Sequence, residues 1–449
     1  MKTHRLKKGY NIPIKGSAEK NINIAEKSVS SGISPTEFHG IKPRLNVKLN
    51  DSVKTGTILF HDKIRPEIKF ASPACGKITE IVYGHRRVIE KITITPNGDD
   101  CEQFPNYRIQ EISSLKKEQL VDHLLSGGLW PYIRQRPFNT IANPHDTPSS
   151  IFVNCMDTAP LAANPEFTLK DSLPEYQAGI EALKILSQKV HVVADGRTPD
   201  PFFFKLEGVE KHTFTGKHPS GLVGTHIAKI DPVSLHKKVW YLNARDVVKL
   251  GSFLLVGQYP TEQIVAVAGS GVKKPVYIKT TAGCAVSNLV KGNLSDGEMR
   301  IISGNILTGK IKSSDSFLGF YDNLITVIPE GRERKFIAWM LPGFTRYTYS
   351  KAFASRLIPG LKYSMNTNQN GEARAFVKTG DYQKVMGMDV YPDFIAKAVI
   401  SGDIEMMEQL GILECADEDV ALCSYICPSK IEFTEIFKKG LEMIEQEIG

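Results

Sequence analysis

The chain has 449 residues, with 56 lysines and arginines against 49 aspartates and glutamates, a net charge of +7. That length predicts about three domains able to bury ordinary apolar cores, and so small a basic excess, without a long basic run, argues against nucleic-acid binding. Seven scattered cysteines form no disulfide framework and point to a reducing compartment.

The start, Met1-Lys2-Thr3-His4-Arg5-Leu6-Lys7-Lys8, is basic like a signal peptide, but Gly9-Tyr10-Asn11-Ile12-Pro13 follows where an apolar core would be needed. No run reaches the roughly 18–20 apolar residues of a membrane helix, so any membrane association is expected to go through a partner or a surface. Between Val47 and Val82, short alternating strands are separated by Asn50-Asp51, Lys54-Thr55-Gly56 and Ala74-Cys75-Gly76 turns. The pattern resembles the barrel-sandwich hybrid of biotinyl and lipoyl domains and sets the first unit at 1–105. Lys63 lies between the two halves, where a carrier lysine would sit. It lacks the flanking methionines of a carrier and reads as a solvated loop residue.

From 106 to 257 helices and strands alternate, the pattern of an α/β domain with a largely parallel sheet. A helix carrying Leu120, Val121, Leu124 and Leu125 is expected to be capped by Ser114 and stopped by Gly127 and Gly128. Strand 150–153, helix 175–187 with Pro174 in its first turn, and strand 190–194 make one βαβ unit. A nucleotide would bind at the carboxyl ends of such strands, yet no G-x-G-x-x-G follows either one. His218 and His226 flank Gly221-Leu222-Val223-Gly224. They offer two metal ligands with no third, and turn or core histidines are the plainer reading.

The run 264–277 opens a further unit, 258–331. Its Gly269-Ser270-Gly271 precedes Lys273-Lys274-Pro275 and a strand rather than a helix, so its amides are not aimed at a phosphate. It resembles the β-grasp module called the soluble-ligand-binding domain. In the last unit, 332–449, Arg332, Arg334, Lys335, Phe336, Trp339 and Phe344-Thr345-Arg346-Tyr347-Thr348-Tyr349 interleave aromatic and basic side chains, read as a protein-contact surface or a strand pair. Phe433, Ile436, Phe437, Leu441 and Ile444 share one face of a final helix. Before it, Cys423-Ser424-Tyr425-Ile426-Cys427-Pro428 matches the C-x3-C-P ending of a bacterial ferredoxin run. The two missing ligand positions hold Asp417 and Val420, and Cys415 is out of register. A helical bundle with a packed core in place of iron explains the same letters.

Gly127-Gly128-Leu129-Trp130 with Arg136-Pro137-Phe138, the segment His218–His226, and Leu422–Pro428 together carry a resemblance to the A-subunit family of the bacterial Na+-translocating NADH:quinone reductases. That family is related to the flavin-binding subunit of complex I and to the C-subunit of the Rnf complex. Those relatives place a glycine-rich flavin loop after the helix; here Trp130, Tyr132, Arg134 and Arg136 stand where the glycines would be, and their acidic dinucleotide contact is missing near Val223, Gly224 and Thr225. The resemblance implies an α/β multidomain chain: barrel-sandwich hybrid, Rossmann-like domain, β-grasp domain and a degenerate ferredoxin-type bundle. It implies a structural and assembly role, with no cofactor on this chain. FAD, FMN, riboflavin and [2Fe-2S] are expected on partner subunits of a six-subunit complex, A to F, at the cytoplasmic face of the inner membrane, with ubiquinone as the complex's substrate. Trp130, Tyr132, Arg134, Arg136 and Phe138 are the candidate contacts with quinone or with another subunit, and packing into the former flavin pocket is the plain alternative. The rival functions are a soluble NADH:flavin oxidoreductase of the complex I type, a carrier using Lys63, and a free-standing ligand-binding module.

Overall fold

The computed structural model describes residues 1–332, 340–377 and 380–448. Arg334, Lys335, Phe336 and Trp339 of the expected contact surface lie outside the described residues.

Two small sheets form the first unit. One orders the strands Ser31–Ile33, Ile89–Pro96, Gly76–Tyr83 and Ser52–Val53; the other orders Pro43–Leu45, Ile58–Asp62 and Lys69–Ala71. Leu59, Phe60, Phe70, Ile78 and Ile92 from both sheets are buried in a shared core, with the rings of Phe60 and Phe70 stacked at 4.4 Å. Lys63 follows the second sheet's middle strand and is exposed. The first two strands of the chain leave this unit. Lys2–Arg5 joins the large sheet described next, and Glu19–Ile24 joins the sheet that follows it. The span 1–105 therefore supplies edges to both neighbours, through backbone pairing that side-chain alternation alone does not reveal.

The large sheet has seven strands in the order Lys2–Arg5, Glu210–Thr215, Val190–Asp195, Ile151–Asn154, Val239–Asn243, Arg134–Arg136 and Thr140–Ile141. The first five run parallel and the last two antiparallel. Period-two alternation sends Ile151, Val153, Val192, Trp240 and Leu242 into one core and Phe152, Val193, Tyr241 and Phe214 into another. A parallel sheet covered on both faces needs both sets apolar, and these strands are. On one face the helices Leu173–Leu186 and Ala244–Val256 cross closely. The contact is so tight that a Cβ on Gly251 would lie 1.7 Å from the Glu175 carbonyl oxygen. The helix Val223–Ile230 covers the other face.

A six-stranded sheet follows, in the order Lys310–Lys312, Met299–Ser303, Leu324–Pro329, Glu262–Ala268, Val276–Thr281 and Glu19–Ile24. Gly269-Ser270-Gly271 is the turn between two of its strands, as its sequence requires. The C-terminal part is helical: Pro392–Ser401, Ile404–Gln409, Asp417–Ile426 and Phe433–Ile448. Phe433, Phe437, Leu441 and Ile444 are buried against Ile395, Val399 and Met407, and Ile436 packs at their edge. Among the described residues no helix is long and apolar enough to cross a membrane.

Candidate functional site

The loop that follows the helix Lys117–Ser126 runs through a short turn at Trp130–Tyr132 into the strand Arg134–Arg136. Leu120, Val121, Leu124 and Leu125 are buried as their spacing requires. The cap differs from expectation. The Gln119 side chain, not Ser114, meets the start of the helix, accepting the Lys116 backbone N–H at 3.2 Å. Gly127 ends the helix, and a Cβ there would lie 2.3 Å from the Phe253 ring; Gly128 turns the chain with φ +70° against Ala71. Both glycines are packed against the chain itself.

Trp130 is fully buried, its Nε1–H donated to the Ala142 carbonyl at 2.7 Å and its ring edge-on to Trp240 at 5.6 Å. Tyr132 stacks on Phe320 at 4.5 Å, and its hydroxyl accepts from Lys249 Nζ at 3.1 Å. Burial and the neighbouring Arg245 push Lys249 down to about 8, and burial holds the Tyr132 phenol well above its usual range. Arg134 and Arg136 then alternate onto one face of a strand paired with Val239–Asn243. Arg134 is held between two rings, its guanidinium carbon 4.4 Å from the Tyr241 centroid and 4.6 Å from that of Tyr321.

Arg136 is buried and reaches across to the C-terminal helices. Its Nη1 donates to Asp419 Oδ2 at 3.1 Å and its Nη2 to Glu418 Oε1 at 2.8 Å. Asp419 also accepts the Ala416 backbone N–H at 2.9 Å. Burial pushes the Asp419 carboxyl up, against the pull of Arg136. Phe138, with φ +76°, lies at the edge of the C-terminal core. Of the five candidate contacts, Trp130, Tyr132 and Arg136 are thus consumed inside the chain and Phe138 is half-buried; Arg134 alone also lines the cavity.

That cavity, about 210 Å³, opens at the carboxyl ends of the parallel strands, between Arg134, Asn154, Asp157, Asn243, Arg245 and Glu418. It is smaller than the roughly 300–1,000 Å³ of typical ligand pockets. Asp157 is exposed at the mouth of this cavity, and the protein packed around it partly desolvates its carboxyl and pushes it up to about 6. Arg134 Nε and Arg245 Nη1 are buried without a hydrogen-bond acceptor among the described residues. The position of Asp157 and Arg245, just past strand ends, could have been read from the sequence. Glu418 and Tyr321 come from distant parts of the chain, and no local pattern marks them.

The two histidines singled out by sequence part company. His218 lines the cavity, its Nδ1 3.2 Å from Thr158 Oγ1, and burial pushes it down to about 4. His226 is in the core, its Nε2 donating to the Ser220 carbonyl at 2.8 Å, and burial pushes it to about 3. Among the described residues neither joins a group of three ligand atoms. In the Cys-Pro segment, Val420 is fully buried and Cys415, Cys423 and Cys427 are buried free thiols. Cys427 Sγ sits 3.1 Å from the Tyr382 hydroxyl and Cys415 Sγ 3.6 Å from Met388 Sδ. Burial raises the Cys415 and Cys423 thiols, favouring their protonated forms.

Three family models match the chain: the NqrA N-terminal barrel-sandwich hybrid domain over residues 4–97, the NqrA second alpha/beta domain over 115–259, and the NQRA C-terminal domain over 264–314. The A-subunit of the Na(+)-translocating NADH-quinone reductase of Pseudomonas aeruginosa is 37% identical over 445 residues, covering 99% of each chain. That of Haemophilus influenzae is 38% identical over 445 residues, covering 98% of this chain and 99% of its own. Among solved structures, an NAD+-reducing [NiFe]-hydrogenase superposes only loosely, with a TM-score of 0.38 at 10% identity over 76% of this chain and 63% of that chain. With relatives this similar end to end, the chain belongs to the NqrA family, the A-subunits of the Na(+)-translocating NADH-quinone reductases.

Proposed function

We propose that the chain serves its reductase as a cofactor-free component at the cytoplasmic face of the bacterial inner membrane. The five partners, B to F, hold the FAD, FMN, riboflavin and [2Fe-2S] that pass electrons from NADH to ubiquinone and couple the transfer to sodium export. The single observation that carries this reading is the loop: Trp130, Tyr132 and Arg136 occupy, as buried and bonded side chains, the place where flavin-binding relatives keep bare glycine backbone. The domain boundaries 1–105, 106–257, 258–331 and 332–449 go with this reading, as do the Rossmann-like, β-grasp and degenerate ferredoxin-type assignments. Contact with partners is supported by apolar side chains concentrated in 340–358, where Met340, Leu341, Phe344, Leu357 and Ile358 are 45–72% exposed.

The test is to purify the chain from membranes, identify what comes with it, and record flavin fluorescence and iron on the isolated chain. Co-purification of the reductase's other subunits with a colourless, iron-free chain is expected; stoichiometric flavin or iron on this chain overturns the reading. A quinone contact is the second reading, favoured by Arg134, a guanidinium donor that lines the cavity and whose Nε has no hydrogen-bond acceptor among the described residues. Arg134→Lys in the assembled complex should raise the KM for quinone several-fold while NADH oxidation by an artificial acceptor persists. An unchanged KM removes Arg134 from that role.

A further inference from the structure

At the opposite, amino-terminal end of the parallel strands, we propose that His191, Glu210 and His212 form a binding site for a divalent transition metal, Zn2+ by its donor set. His191 pairs with Glu210 across adjacent strands, and His212 lies two residues beyond Glu210, so strand alternation places all three on one face. His191 Nδ1 lies 3.2 Å from His212 Nε2, Glu210 Oε2 lies 3.5 Å from His191 Nδ1, and the same oxygen lies 3.8 Å from His212 Nε2. The point equidistant from the corners of a triangle with those edges is about 2.0 Å from each in their plane and about 2.2 Å from each when raised toward a fourth ligand, close to the length of a Zn–N or Zn–O bond.

A hydrogen bond between the imidazoles accounts for the 3.2 Å contact but not for the carboxylate. At 3.5 and 3.8 Å its oxygen is beyond good hydrogen-bond distance from either nitrogen, yet close enough to share one cation with both. Two imidazoles and one carboxylate are a zinc set with one position left for water, and Glu210, being exposed, leaves that side open. His4, on the edge strand, has its Nε2 3.3 Å from His212 Nδ1, the arrangement by which an outer partner fixes a ligating imidazole. Lys2 and Lys189 nearby oppose a cation, and Asp231 partly offsets them.

Zn2+ binding to the full-length chain, stripped with a chelator, tests this by calorimetry and thermal melts. Cys75→Ser and Cys101→Ser remove the two thiols that are not fully buried. One equivalent should bind and raise the Tm. Glu210→Gln, an exposed change that leaves the fold intact, should weaken binding at least ~10-fold, and His4→Gln should cost ~10-fold. His191→Gln should abolish binding, and Co2+ in the intact site should show the visible bands of a tetrahedral nitrogen and oxygen environment without thiolate charge transfer. No stoichiometric binding, or an affinity that Glu210→Gln leaves unchanged, overturns the proposal.

Discussion

The loop 127–138 and the helix Asp417–Ile426 both stand where the resemblance puts redox centres in more distant relatives, and they are filled in opposite ways. The loop is filled by large side chains that keep polar partners: Trp130 on a carbonyl, Tyr132 on Lys249, and Arg136 on two carboxylates. The helix is filled by apolar packing, with Val420 and Cys423 in the core, and the thiols that flank it, Cys427 and Cys415, are set against Tyr382 and Met388. Arg136 joins the two, since Glu418 and Asp419 lie in the first turn of that helix. A polar plug depends on every partner being present, whereas an apolar plug depends on volume, so the two should fail differently.

The largest effect is expected at the join. Arg136→Ala leaves the Asp419 carboxylate buried without its counter-charge, and removing one member of a buried pair costs about 3–5 kcal/mol. Denaturant unfolding of the isolated chain measures it. Asp419→Asn in the Arg136→Ala background should recover part of the loss, since the charge left behind is then gone. A single-variant loss within about 0.5 kcal/mol, the size of an ordinary surface change, would show that the clamp contributes nothing.

Val420→Ala comes next, at about 2 kcal/mol for two buried methyl groups and the space they leave. Unlike the loss at Arg136, this one should be insensitive to salt and to pH. If it varied with pH as the Arg136 variant does, the contrast between a polar and an apolar plug would collapse.

How much of this could be read in advance follows the same division. Strands Ile151–Asn154 and Val190–Asp195, helix Leu173–Leu186 and the apolar face of Phe433–Ile448 are written in local periodicity, and the structure places them within a residue or two of expectation. What depends on pairing between distant residues was illegible. Arg134 to Arg136 read as loop because a three-residue strand has no periodicity to detect; its strand character comes from pairing with Val239–Asn243 on one side and Thr140–Ile141 on the other. The partners of Arg136 lie 282 and 283 residues away. The same holds for His191 and His212, in which the Glu210-x-His212 alternation is visible but its neighbour on the next strand is not.

A smaller effect is expected at Arg134. Arg134→Ala removes a cation held between Tyr241 and Tyr321, a contact worth about 1–2 kcal/mol when partly desolvated. Arg134→Lys should keep part of it, because the charge remains while the planar stacking is lost. Melting the two variants side by side checks the order; a lysine as damaging as alanine would mean that stacking, not charge, holds the residue.

The smallest effect is a dependence on pH, at Asp157. Its carboxyl is pushed to about 6 in the folded chain from an ordinary value of 3.8, so between those limits the folded state holds a proton that the unfolded state has released. Stability contributed by this group is therefore present at acid pH and lost as pH rises through about 4 to 6. His218, on the same cavity and pushed down to about 4 from 6.5, acts in the opposite sense, because folding there excludes a proton that the unfolded chain binds, and stability is lost as pH falls. The two slopes overlap in wild type, so the variant must be compared with wild type at each pH. Asp157→Asn keeps an oxygen for the Ala159 N–H, which Asp157 accepts at 2.8 Å, and removes only the titration. Its Tm relative to wild type should be higher at pH 7 than at pH 4.5. A difference that stays flat between those pH values would show that solvent at the mouth of the cavity outweighs the desolvation that the surrounding protein imposes on the exposed Asp157 carboxyl.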